Sequence, residues 1–278
     1  MIGALRLALG GLLLWTPLAW GQHLSGGDAA ALIEKSRQKA LDYAHSLPDF
    51  LCTEVIRRYS DSRPQNGKLF GRPLVPMQFP AGMKWIPTDK LTVRLSFFQL
   101  QEEHTLVAIN DRPSDQKYAG LAGATSGGEF GGMMKSIFDP ASQTAFRWES
   151  WRGRKRRTAV YAYEVSAAHS QFVLANGKPG AVHHATVGFH GTIEIDGDTA
   201  EVLHYDYMAD RIPKELSLES ALTTVDYAFA GVGGRDYLLP SRCQTEMHSP
   251  ELSVRNDTEF REYRKFSSES TVTFGAGK

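Results

Sequence analysis

The sequence lacks most of the features by which enzymes, metalloproteins and nucleic-acid-binding proteins are recognised. Only two of its 278 residues are cysteine, and its 31 basic and 31 acidic residues give a formal net charge of zero. A zero balance argues against a protein built mainly to hold nucleic acid or an anionic membrane, because both tasks need an excess of basic charge. After the N-terminal segment no apolar run is long enough to cross a bilayer, so we expect no transmembrane segment in the mature chain.

Known catalytic and metal-binding motifs are also missing. No serine lies in the Gly-x-Ser-x-Gly setting of the α/β-hydrolases, and no histidine pair has the helical spacing with an intervening glutamate that binds zinc. Asp196 and Asp198 flank Gly197, but a calcium loop needs more carboxylates than these two. We therefore predict no cofactor, no metal and no catalysis, and keep an unrecognised hydrolase as an alternative.

The first residues have the order of regions found in a secretory signal peptide. Arg6 supplies a positive charge, an apolar run covers 7–18, and the triplet 19–21 has small residues at its first and third places. This order predicts a cleavable signal peptide over 1–21 and a single domain over 22–278 that folds in the periplasm or outside the cell. The run is too short for a stable membrane anchor. The alternative is a buried N-terminal helix.

Both cysteines, Cys52 and Cys243, lie in the part that would be exported. An even number of cysteines in an oxidising compartment favours a disulfide. Because the closed loop would be long, such a bridge would restrict the unfolded chain considerably. The alternative is two separate buried thiols, which behave as small apolar residues.

Apolar residues of the mature chain recur first at helical and then at strand spacing. Residues 27–47 are predicted to form a helix that Asp28 caps and Pro48 ends. Alternation of apolar and polar residues then predicts about ten strands. They cover 50–59, 91–97, 106–110, 144–151, 158–166, 185–195, 201–209, 221–230, 237–247 and 257–274. We expect an α+β fold in which a strongly curved, mostly antiparallel sheet forms a half-barrel, with the helix packed on its concave side.

Two segments break this regular pattern. Residues 60–88 contain five prolines and are predicted to be a long loop,. Residues 120–140 are rich in glycine and are predicted to hold a short helix ended by Pro140. Glycines beside Met133, Met134 and Phe138 would suit a mobile flap over an apolar cavity; a plain structural loop is the alternative.

Bulky apolar side chains line one face of several predicted strands. A sheet with such a face and only one long helix to cover it has room for a ligand. The alternative is an ordinary sheet core. The residues that we predict to line the pocket or the flap are Phe97, Phe130, Met133, Met134, Phe138, Tyr161, Tyr163 and Phe189.

The order of elements resembles that of the LolA-type periplasmic lipoprotein carriers and their relatives. The likeness lies in the helix-to-strand opening ALIEKSRQKALDYAHSLPDFLCTEVIRRY and in the hairpin GTIEIDGDTAEVLHYDYMADRIPKE. The chain is also similar to exported bacterial proteins without a known activity that share the phrases LPDFLCTEV, GEFG and YRKF. The resemblance implies a curved sheet that wraps a hydrophobic cavity closed by helices. The insertions at 60–88 and 120–140 depart from the family, and no residue matches its functional arginine.

This resemblance favours a non-catalytic periplasmic carrier or binding protein for a hydrophobic ligand, with a lipid or a lipoprotein acyl chain as its partner. An alternative from another class is a protein–protein module, such as an envelope sensor that grips a protein partner. The charge balance predicts no nucleic-acid partner for either function.

Overall fold

The computed structural model describes residues 26–61, 84–121, 124, 127–153, 157–178 and 181–266. The predicted signal peptide over 1–21 lies outside the described residues, as do most of the predicted proline-rich loop and the end of the last predicted strand. Among the helices of the described ranges, none combines the length and the apolar character that a membrane crossing needs.

Two helices and thirteen strands make up the described fold. The helices are α1 (Gly26–Ser46) and α2 (Gly132–Phe138). The strands are β1 (Phe50–Asp61), β2 (Ile86–Phe98), β3 (Gln101–Ile109), β4 (Arg112–Pro113), β5 (Ala145–Arg152), β6 (Thr158–Val165), β7 (Val173–Lys178), β8 (Ala181–Thr186), β9 (Gly188–Asp196), β10 (Val202–Asp210), β11 (Ser220–Val232), β12 (Arg235–His248) and β13 (Ser253–Lys265).

Eleven of these strands form one curved, antiparallel sheet that does not close. Their order is β4-β3-β2-β1-β13-β12-β11-β10-β9-β6-β5, and β7 and β8 form a separate ribbon. Most neighbours follow each other in the chain, but β1 pairs with the last strand, β13, and so joins the two halves of the meander. The predicted fold class is confirmed, with eleven strands in the sheet rather than about ten.

The inner face of the sheet is the face that α1 covers. Along β2, Leu91, Val93, Leu95 and Phe97 are buried while the residues between them are more exposed, as the alternation predicts. From α1, Tyr43 packs edge-on against the ring of Tyr227, 5.8 Å away, and donates a 2.8 Å hydrogen bond to the carbonyl of Leu238. The predicted N-terminal helix is therefore confirmed.

The start of α1 differs from the prediction. The helix begins at Gly26, so Asp28 lies within the first turn and does not cap it from outside. A carboxylate at this place still stabilises the helix, because it faces the positive end of the helix dipole.

The strand predicted over 185–195 is two strands. The break falls at Val187, between β8 in the ribbon and β9 in the large sheet. The backbone N–H of Val187 donates instead to the carbonyl of Phe172. Because apolar and polar residues alternate from Ala185 to His190 without interruption, the sequence pattern continues through the break and could not reveal it,.

The predicted disulfide is wrong. Cys52 and Cys243 are both buried and form no disulfide with each other. They lie on β1 and β12, which are separated by β13. The distance between them across the sheet is therefore two strand spacings, or about 9–10 Å. A disulfide needs Cα atoms within about 7 Å. The cysteines serve as small apolar residues of the inner face, and burial raises the pKa of the Cys52 thiol, which keeps it unreactive.

Candidate ligand-binding site

All of the residues predicted to line a pocket or a flap belong to one core cluster on the inner face. They come from four places in the chain: β2, the glycine-rich segment with its helix α2, β6 and β9. Every one of them is buried, with at most 7 % of its surface exposed. The structure thus brings these side chains together; whether they contact a ligand stays a prediction.

A covering segment, which we define as residues 127–142, lies over the inner face and contains α2. Gly128 and Gly131 have positive φ angles of 91° and 113°, a region that only glycine adopts without strain. A Cβ atom on Gly131 would meet the side chains of Ala44 and Tyr43 at 3.0 and 3.1 Å. Glycine is therefore needed here both for the turn and for the close approach of the segment to α1.

Phe130 is the central side chain of the covering segment. Its ring lies 5.2 Å from that of Phe50, 6.0 Å from that of Phe97 and 5.6 Å from that of Phe260. Only 1 % of Phe130 is exposed. The ring therefore occupies the part of the inner face where β1, β2 and β13 run side by side.

Polar groups of the sheet and of α1 hold the covering segment at several points. The hydroxyl of Tyr227 donates to the carbonyl of Glu129, and the guanidinium of Arg37 donates to the carbonyl of Phe138. The hydroxyl of Thr144 donates to the carbonyl of Ile137. These hydrogen bonds satisfy backbone carbonyls near the start and the end of α2. The three side-chain hydrogen bonds thus fix the covering segment.

A group of ionisable side chains lies under the start of the covering segment. We call Glu54, Glu102, His104 and Glu129 the acid cluster. The Nε2 atom of His104 lies 3.4 Å from a carboxylate oxygen of Glu54, and the Sγ atom of Cys243 lies 3.5 Å from one of Glu129. The backbone N–H of Phe130 donates to Glu102. The cluster thus joins β1, β3 and β12 to the covering segment.

Burial and neighbouring charges shift the pKa values of Glu54, Glu102 and His104. Burial, together with the nearby carboxylate of Glu129, raises the pKa of Glu102 to about 7. Burial likewise raises the pKa of Glu54. For His104, burial lowers the pKa, but the hydrogen bond to Glu54 and the surrounding carboxylates outweigh burial and raise it.

Sequence reasoning missed the acid cluster. Its members come from two strands and a loop, and no spacing in the chain connects them. One signal was present: Glu54 occupies an inward position in β1, between Cys52 and Ile56, so a charge interrupts an otherwise apolar stripe. Within the described ranges, no three His, Cys, Asp or Glu side chains are placed to hold a metal ion.

The acid cluster predicts how stability depends on pH. The folded chain holds the pKa of Glu102 at about 7, above its ordinary value of 4.5, so between these values the folded state binds more protons than the unfolded state. The free energy of unfolding should therefore fall as pH rises from about 4.5 through about 7. Urea unfolding across this window measures the slope, and Glu102→Gln should flatten it.

A neighbouring residue provides the control for this measurement. Glu103 lies on the same strand, is exposed and points to the other face. Glu103→Gln should leave the pH slope at its wild-type value. A slope that Glu102→Gln does not change, or that both variants change alike, would contradict the assignment.

A serine, a histidine and a carboxylate that lie close together bear on the hydrolase alternative. The Nδ1 atom of His248 lies 2.8 Å from the hydroxyl of Ser253, and its Nε2 atom lies 3.6 Å from a carboxylate oxygen of Glu246. Their exposed fractions are 3 %, 1 % and 1 %. A nucleophilic serine must reach the scissile bond, and Ser253 is closed off from solvent. This group therefore has the character of a buried polar network.

No protein-family model matches the chain, and no curated protein matches it. Solved structures do. They include a LolA superfamily protein from Nitrosomonas europaea, with 10 % identity and a TM-score of 0.34 over 86 % of this chain and 94 % of that one. The LolA superfamily, which the order of elements resembles, is thus among the proteins to which this chain is similar.

Two further solved structures have comparable scores. A DUF1329 family protein from Desulfovibrio piger has 10 % identity and a TM-score of 0.36 over 87 % of this chain and 94 % of that one. A proposed outer membrane lipoprotein-sorting protein domain from Vibrio parahaemolyticus has 10 % identity and a TM-score of 0.34, with the same coverage. With TM-scores this low, the likeness carries no argument about ligand or activity.

Proposed function

We propose that this protein is a non-catalytic carrier or binding protein for a hydrophobic ligand such as an acyl chain, and that it acts outside the cytoplasm. One observation carries the proposal. The inner face of the sheet is lined by aromatic and aliphatic side chains, and its centre is covered by a short segment that begins with two glycines of positive φ. Such a segment can leave its place without unfolding the sheet, and it would uncover an apolar surface when it does.

The covering segment is suited to move as a unit. Its helix, α2, has seven residues, and a helix of this length is not stable in isolation. Its order therefore depends on the contacts that Phe130, Met134 and Phe138 make with the inner face. A ligand chain that replaces these contacts would hold the segment open.

The acid cluster adds a reason for the segment to open. Glu129 on the segment faces Glu102 and Glu54 on the sheet. Burial, together with the carboxylate of Glu129, raises the pKa of both Glu102 and Glu54. Ionised carboxylates that repel each other in a buried place oppose the seated position of the segment. We therefore expect opening, and with it ligand exchange, to become easier as Glu102 loses its proton.

Native mass spectrometry and a binding titration test the proposed function. Protein purified from the periplasm should carry a co-purified lipid or acyl ligand that native mass spectrometry detects. After delipidation it should bind a fluorescent long-chain fatty acid, whereas the same fluorophore without the chain should not bind. A ligand-free mass together with no binding of the long-chain probe would refute the carrier function.

A protein–protein module of the cell envelope is the second candidate, and a different observation favours it. Phe98 and Leu100 are 43 % and 47 % exposed at the turn between β2 and β3, and the ring of Phe98 lies 5.1 Å from that of Phe266. An exposed apolar group of this kind is typical of an interaction site. Phe98→Ser with Leu100→Ser should abolish partner binding if this candidate holds, and should leave fatty-acid binding unchanged if the carrier function holds.

A further inference from the structure

Strands β12 and β13 are paired along only part of their length. Their ladder runs from His248 and Ser253 to Arg242 and Glu259. Beyond that point β12 continues to Arg235, still paired with β11, and β13 continues to Lys265, still paired with β1. Within these described strands the β11–β12 hairpin therefore separates from β13, and it leaves an opening in the wall of the sheet.

Local chemistry explains why the strands separate here. Pro240 has no N–H to donate to a ladder, and Ser241 is an extra residue at a bulge opposite Asp226 and Tyr227. On β13, Glu262 has a φ of 56° at the place where its register with β1 shifts. Bulges bend a strand and raise its twist. Two bulges on neighbouring strands thus turn the hairpin away from β13.

A pocket of about 320 Å³ fills this opening. Its walls are residues 228–231 of the hairpin, Pro240 and Ser241 at the bend, and residues 260–263 of β13. The hairpin comes back to β13 at its tip, where a Cβ atom on Gly233 would lie 3.2 Å from the side chain of Lys265. The opening is therefore bounded along the sheet, and its volume is at the lower end of the range for small-molecule sites.

One layer of side chains separates the pocket from the inner face. Phe260 lines the pocket and is 8 % exposed, and its other side meets the ring of Phe130 at 5.6 Å. Tyr263 also lines the pocket and packs 5.4 Å from the ring of Phe50. Movement of Phe260 would thus connect the opening with the space that the covering segment occupies.

The charges around the opening identify what it could accept. The guanidinium of Arg261 pairs with Glu259, and the carboxylate of Glu262 accepts a hydrogen bond from Thr53, so the charged walls are already satisfied. What the pocket offers a ligand is apolar, above all the ring of Phe229, which is 52 % exposed. At the end of β13, just beyond the residues that line the pocket, Arg264 and Lys265 are exposed and form no ion pair with any described residue.

We propose that this opening between the β11–β12 hairpin and β13 is the portal by which an acyl chain with an anionic headgroup enters the inner face. The chain passes between Phe229 and Phe260, and Arg264 and Lys265 attract the headgroup outside. A fatty-acid carboxylate and a phospholipid phosphate share this chemistry. The inference rests on the proposed function, because a portal needs a ligand site behind it.

Rates of binding separate a portal from a ligand site. We would follow the association of a fluorescent fatty acid, its uncharged alcohol analogue and a fluorescent lysophospholipid with the delipidated full chain by stopped flow. Ala230→Trp places an indole in the opening, and Val107→Trp adds the same group at an exposed position on β3. Ala230→Trp should slow the association of every probe at least tenfold, and Val107→Trp should leave it unchanged.

A charge reversal tests the headgroup. Arg264→Glu combined with Lys265→Glu should slow the two anionic probes several-fold and leave the alcohol unaffected, because electrostatic attraction acts on the association rate. Comparison of the association rates of the two anionic probes shows which headgroup is preferred. Faster association of the fatty acid indicates a carboxylate, and faster association of the lysophospholipid indicates a phosphate. Equal rates for the wild type and the double variant with all probes would refute the role of these two cations.

The outcomes distinguish the portal from the proposed function. If the wild type binds and both Ala230→Trp and the surface variant Phe229→Glu bind at the wild-type rate, the portal is refuted and the carrier function stands. Phe229→Glu guards against a folding defect, because its side chain is already half exposed. If the delipidated wild type binds none of the probes, both inferences fall.

Discussion

Phe130→Ala should make the protein less stable and, at the same time, a better binder of apolar ligands. The ring is 1 % exposed and packs against three other rings of the inner face. Truncating a buried phenylalanine typically costs about 3–5 kcal/mol, part of which comes from the hollow that remains. If the covering segment occupies the ligand's place, a ligand chain can fill that hollow. We therefore expect a lower free energy of unfolding in urea and a lower dissociation constant for the fatty-acid probe.

A second core truncation provides the control. Leu91 is 2 % exposed and belongs to a separate core cluster with Ile56, Val93 and Leu106. Leu91→Ala should also lower the free energy of unfolding, by about 2–5 kcal/mol, without tighter binding of the probe. If Phe130→Ala weakens binding, or if both variants change binding equally, Phe130 is an ordinary core residue and the covering segment does not occupy the ligand's place.

Gly191→Ala should be among the most destabilising single substitutions in the sheet. A Cβ atom on Gly191 would lie 1.9 Å from the carbonyl oxygen of Asp206 on the neighbouring strand. Tyr163 is paired opposite Gly191 and donates a 2.8 Å hydrogen bond to that same carbonyl. Backbone must move to admit the methyl group, and the tyrosine bond is lost with it. We expect a loss of about 3 kcal/mol or more, measured by urea unfolding.

The opposite result is expected for a glycine in open space. Gly132 lies at the start of α2, and a Cβ atom there would meet nothing within 4 Å. Alanine is favoured over glycine in a helix by about 0.5–1 kcal/mol, so Gly132→Ala should stabilise the protein slightly. A small effect of Gly191→Ala would show that β9 and β10 can separate at this point, contrary to the close packing that the structure has.

The spacing of apolar residues along the sequence was enough to predict the helix α1 and the inward face of the strands. The helical spacing of Ile33, Ala40 and Ala44 predicts a helix with one apolar face, and Pro48 marks its end because proline cannot continue the helix. Alternation along β2 predicts which side chains point inward. Both signals depend on residues within one element, so they survive in a single sequence.

Only the tertiary structure decided the features that depend on which strands are neighbours. Pairing of β1 with β13 places Cys52 and Cys243 two strands apart and rules out the expected disulfide. The same pairing, together with the fold of the covering segment, brings Glu54 next to Glu129. The opening between β12 and β13 arises where two bulges face each other across a gap in the ladder. None of these contacts is encoded by spacing along the chain. They form between residues that are distant in sequence and that come together only when β1 pairs with β13.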